Sequence, residues 1–168
     1  FFSAEFGPLP EPNLAIAQIP EGAVPMYAAP GLLLLNQRQW SAKPSERMLA
    51  HLAAHEWWGN EVLPASASDV WLTDGLSRYS EALYAGQATG KEGANRALED
   101  FAVGALTYED AAPISQAARL EPFSSEYRSV VVNKGAMIFH MLRAQLGDAP
   151  FEALLHDFYT RFAGKAAR

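Results

Sequence analysis

Residues 51–60 read HLAAHEWWGN, and the reading of His51 and His55 decides what kind of molecule this is. The two histidines stand at i and i+4, a spacing that puts both imidazoles on one helix face, close enough to reach a single metal ion at about 2.0–2.1 Å. The same spacing in an alanine-rich helix also describes two partly buried polar residues, so the pair alone leaves both readings open. A third candidate ligand, Asp74, follows in WLTDGL on the next predicted helix, where its carboxylate can return toward the same ion.

Working outward, Ser45 is placed to cap a helix with apolar positions at Met48, Leu49 and Leu52 and a stop at Gly59, about four turns in all. Upstream, NLAIAQIP (13–20) and PGLLLLN (30–36) read as short strands among closely spaced prolines. Downstream, Asp69 can cap a helix from Val70 to about Gly86, whose internal Gly75 implies close packing. Further helices are predicted over KEGANRALEDFAVGAL, over YRSVVVNKGAMIFHMLRAQLG closing at Gly147, and over APFEALLHDFYTRFAG with Pro150 in its first turn. A loop separates the first two of these. Strands first and helices afterwards predict an α+β fold, strand-rich over 1–40 and helical over 41–168.

Composition narrows the functions. The 168 residues carry a formal net charge of -6, without a clustered basic run, which argues against nucleic acid as a partner. Cysteine is absent, so a metal site must be built from histidine and carboxylate. No apolar run approaches the roughly 20 residues of a membrane-spanning segment. Neither a GxSxG elbow nor a glycine-rich phosphate loop is present. His140 and His156 lie among apolar residues and read as packing or surface groups, and the tryptophans as core.

HLAAHEWWGN followed by DVWLTDGLSRYSE resembles the zinc aminopeptidase family of membrane alanyl aminopeptidase and leukotriene-A hydrolase, gluzincins whose usual pattern is HExxHxWxGN and then WLNEGFxxY. FGPLPEPNLAIAQIP is similar to the family's entry into its catalytic domain, and VVVNKGAMIFHMLRAQLG to its YxKGAxxxxMLR helix. The resemblance covers nearly the whole chain. It implies one thermolysin-like metallopeptidase domain over 1–168, a small sheet beside a helical bundle, excised from a longer multidomain chain. It also implies zinc held by His51, His55 and Asp74, and a peptide or protein ligand together with the parent chain's flanking domains as partners.

The departures from the pattern fall on chemistry. The general base of HExxH falls on Leu52, which can neither accept a proton nor return it, although such help is worth typically 10²–10⁴-fold. Glu56 does not restore the motif, because Gly59 stands where its second histidine would be. The third zinc ligand, a glutamate in the family, is Asp74, one methylene shorter. The oxyanion-stabilising tyrosine of YxKG falls on Val132, removing a hydroxyl donor. Tyr127, five residues earlier, reads as a packing aromatic. The loop whose glutamate holds the substrate's amino group corresponds to GAVPMYAAPG, with Ala28 opposite that glutamate. Trp58, Gly59, Asn60, Trp71, Leu72, Gly75, Tyr79, Lys134 and Gly135 are retained.

A catalytically impaired zinc aminopeptidase-family domain is therefore expected, retaining zinc and peptide binding. Two alternatives stand beside it: an active zinc-dependent hydrolase with a non-standard base such as Glu56, and a metal-free structural or interaction domain. Turnover of aminoacyl substrates separates the active reading from the others.

Overall fold

The computed structural model describes residues 1–9, 11–22, 24–40 and 44–168. A short helix α1 (Phe2–Glu5) leads into strands β1 (Ala15–Ile19), β2 (Met26–Ala29) and β3 (Leu32–Asn36). They form one sheet in the order β1-β3-β2, with β1 parallel and β2 antiparallel to β3. Along β3 the side chains alternate, so Leu33 and Leu35 point to the same buried face. That face packs on helix α2 (Glu46–Ala54) through Leu52, with Met26, Ala28, Met48, Leu49 and Ala53 at its margin. β1 and β3 match the strands expected from sequence. β2 lies in the segment aligned with the family's amino-binding loop, and Ala28 pairs there with Leu33.

Ser45 caps α2, accepting a hydrogen bond from Met48 N at 3.4 Å. The helix is shorter than expected, ending at Ala54 rather than near Gly59. The next three amides, of His55, Glu56 and Trp57, bond to carbonyls three residues back, which tightens the chain and turns Trp57 and Trp58 into the core. Gly59 completes the turn at φ +120, a conformation that favours glycine.

Strand β4 (Val62–Pro64) precedes α3 (Val70–Thr107), which consists of two helices either side of a non-helical Gly90, as the sequence leads one to expect. Gly90, at φ +74 and ψ -171, absorbs a kink at the point where the sequence suggested a break. Asp69 stands at the N-cap position but makes no capping bond; its carboxylate accepts from Ser66 Oγ at 2.6 Å. The expected loop contains a 3-10 turn (Ile114–Arg119) and a single turn α4 (Ser125–Tyr127). The helix expected over 127–147 begins as a π-helix (Arg128–Lys134) and continues as α5 (Gly135–Leu146). Helix α6 (Asp148–Phe162) carries Pro150 in its first turn, and β5 (Lys165–Ala167) pairs in parallel with β4.

The main core lies between α2, α3, α5 and α6, built on Trp57, Trp58, Leu76, Tyr79, Phe101, Phe139, Phe151 and Leu155. Its tightest crossing is made by glycines. A Cβ on Gly75 would stand 2.8 Å from the carbonyl carbon of Gly135, so α3 and α5 meet backbone to backbone. The close packing inferred at Gly75 is thus a contact with Gly135, another of the retained glycines. Among the described residues no helix is long and apolar enough to cross a membrane.

Candidate functional site

His51 and His55 come together as the spacing implies, although His55 lies just past the end of α2 in the tightened turn. Their ring centroids are 5.0 Å apart and the rings are nearly perpendicular. His55 Nδ1 donates to the Trp58 carbonyl at 3.0 Å. Because a carbonyl only accepts, this bond places the proton on Nδ1 and leaves Nε2 with a free lone pair, the way metal-binding imidazoles are oriented. The same carbonyl accepts from Ser77 Oγ at 3.1 Å, tying the turn to α3.

His51 is 7% exposed, and its Nδ1 has no partner. Burial, followed by the charges of His55, Arg78 and Arg128, holds its pKa well below the ordinary 6.5, against a backbone hydrogen bond at Ser77. The imidazole is therefore neutral near pH 7, the state a metal requires. The two nearby guanidinium groups nevertheless create a local field unfavourable to an added cation.

Asp74 is not gathered with the pair. Its Oδ2 accepts a 2.7 Å hydrogen bond from the Tyr127 hydroxyl. Burial, and then the Asp74 charge and this bond, raise the Tyr127 pKa, so the phenol stays a donor. Tyr127 is thus a partner of the expected third ligand rather than packing alone. Val132 itself is half-buried within the π-helix.

The other departures are absorbed into packing. Leu52 is 1% exposed and belongs to the same apolar cluster as Leu33, Leu35 and Ala28. The positions aligned with the base and with the amino-terminal anchor therefore share one hydrophobic contact surface. Glu56 is buried and accepts from Gly31 N at 3.0 Å, which ties the β2–β3 turn to the residues after α2.

Zinc, which the resemblance implies, can be tested against this donor set. The histidine half suits it: one tautomer is set by a hydrogen bond and the other ring is neutral and buried. The carboxylate half does not, because among the described residues no three His, Asp or Glu side chains gather closely enough to hold an ion. As placed, Asp74 does not complete the set, which is one ligand short of the three that a zinc site of this kind uses.

Residues 23–168 match the family described as the Peptidase family M1 domain. Human endoplasmic reticulum aminopeptidase 2 is 30% identical over 130 residues, covering 73% of this chain and 13% of that protein. An M1 zinc metallopeptidase from Deinococcus radiodurans superposes with a TM-score of 0.78 at 27% identity, covering 99% of this chain and 36% of the other. Yeast LTA4 hydrolase shares the fold, with a TM-score of 0.79 at 18% identity over 98% of this chain and 28% of that one. The chain thus spans well under half the length of these relatives.

Proposed function

The chain belongs to peptidase family M1, and from that premise we propose that it is a non-catalytic member, a pseudopeptidase domain that holds a peptide or protein segment without hydrolysing it. The observation that carries this reading is the burial of Leu52 in an apolar cluster with Leu33 and Leu35, against which the half-buried Ala28 packs. A base and an amino-group anchor must face water and substrate, whereas the residues aligned with them here form a contact between sheet and helix. Val132 adds no hydroxyl for a developing oxyanion, and three such losses bear on one transition state.

Glu56 is poorly placed as a substitute base, because it is buried with one oxygen committed to Gly31 N. Zinc, where bound, would rest on His51 and His55, with Asp74 joining once its carboxylate turns toward them. The supporting result is background-level hydrolysis of aminoacyl p-nitroanilides by the folded chain, with and without added zinc. Robust zinc-dependent turnover would overturn the proposal and restore an active aminopeptidase.

A further inference from the structure

Arg78 and Arg128, whose charges act on His51, also line a cavity of about 310 Å³ together with Gly104, Tyr108, Ser129 and Asn133. Its walls come from two points on α3, the residue after that helix and the π-helix. In a chain with a net charge of -6, this cavity gathers two guanidinium groups.

The charges do not cancel locally. Asp100 also borders the cavity, but its carboxylate accepts from Arg47 Nη1 at 2.8 Å. Arg78 lies over the Phe101 ring, 4.2 Å from its centroid, and bonds to Glu81 Oε2 at 2.5 Å. Arg128 is exposed, and among the described residues no carboxylate lies within ion-pair distance of it. Burial and then, after the opposing pull of Glu81, the Arg128 charge act to lower the Arg78 pKa. An anion between the two would relieve that repulsion.

The neutral groups suit the same ligand. Asn133 Oδ1 accepts from Arg78 Nε at 3.2 Å, so the donors on its Nδ2 remain. A Cβ on Gly104 would stand 2.4 Å from that nitrogen, so glycine is what gives the Asn133 amide room at this wall of the cavity. Ser129 Oγ is occupied, donating to the Ala105 carbonyl and accepting from Tyr108 N, and holds the wall rather than a ligand.

We infer that this cavity is an anion site for an organic carboxylate, such as the terminal or side-chain carboxyl of a peptide, anchored by Arg128 with the Asn133 amide as second donor. A planar guanidinium presents two parallel N–H groups that meet two oxygens of a carboxylate or of a phosphate equally well, and the carboxylate follows from the peptide-holding function proposed above. The inference deepens the proposed peptide-holding function and rests on it for the nature of the ligand, but it is independent of zinc.

The test is calorimetric titration of the 168-residue chain with an N-acetylated dipeptide bearing a free carboxylate, with its C-terminal amide, and with inorganic phosphate. The acid is expected to bind at least about tenfold more tightly than the amide or phosphate, and Arg128→Gln to remove that preference. Arg96→Gln, an exposed cation away from the cavity, should leave it intact, and circular dichroism should show each variant folded. No binding of the acid, equal affinity for acid and amide, tighter binding of phosphate, or full retention in Arg128→Gln would each overturn the site. Turnover of an aminoacyl p-nitroanilide in a parallel arm would instead overturn the non-catalytic reading and leave the carboxylate site standing.

Discussion

The Tyr127 hydroxyl donates a 2.7 Å hydrogen bond to Asp74 Oδ2, joining the turn before the π-helix to the residue expected to complete a metal site. One residue beyond Asp74, Gly75 meets the backbone of Gly135, so the same end of α3 is held by a second contact to this part of the chain. Among the described residues Asp74, so bonded, is not gathered into a metal-holding group with His51 and His55, and Tyr127 opposes a metal by fixing the orientation of this carboxylate. Tyr127→Phe should strengthen zinc binding, by up to about tenfold in a competition titration against a chelator, because a charge-assisted hydrogen bond no longer holds the carboxylate in place. Zinc binding of unchanged strength in that variant would show that the bond does not oppose the metal.

Leu52→Glu should destabilise the chain by about 3 kcal/mol or more, measured by urea unfolding, because it buries a carboxylate against Leu33 and Leu35. Leu52→Ala should also cost about 2–5 kcal/mol, by leaving a cavity. A Leu52→Glu protein as stable as the wild type would mean that the side chain reaches water instead of the cluster.

Restoring one catalytic position should not restore catalysis. Leu52→Glu alone is expected to stay at background in an aminoacyl p-nitroanilide assay, because Val132 and Ala28 leave the oxyanion and the substrate amino group without partners. Adding Val132→Tyr and Ala28→Glu supplies all three parts, but it places two carboxylates in one apolar cluster. Folding of the triple variant should therefore be checked before its rate is interpreted. Substantial turnover from Leu52→Glu alone would show that the remaining machinery is intact.

Gly75→Ala should lower stability by about 1–3 kcal/mol or more, because the added methyl meets the Gly135 backbone rather than a side chain that can move aside. Gly86→Ala is the contrasting case. Its Cβ would meet only the Ala94 methyl, at 3.4 Å, so helix propensity should dominate and the melting temperature should hold or rise slightly. Equal losses at the two positions would remove the distinction between a backbone contact and an ordinary helix surface.

What the sequence determined by itself is the part governed by local periodicity and short spacing. The α+β order, the Ser45 cap, the pairing of His51 with His55, the glycine contact at Gly75 and the family pattern around HLAAHEWWGN were all legible, because each depends on residues a few positions apart or on a motif that preserves them. Tertiary structure decided the rest. The two helices either side of Gly90 turn back on each other so that Gly86 lies beside Ala94, and residues 26–29 form a strand because β3 offers them an edge to pair with. Asp74 faces Tyr127, and Leu52 shares a cluster with Ala28, because segments distant in sequence meet where backbones and apolar faces fit. Long-range contacts of this kind follow from packing in three dimensions, and no local pattern encodes which carboxylate reaches which partner.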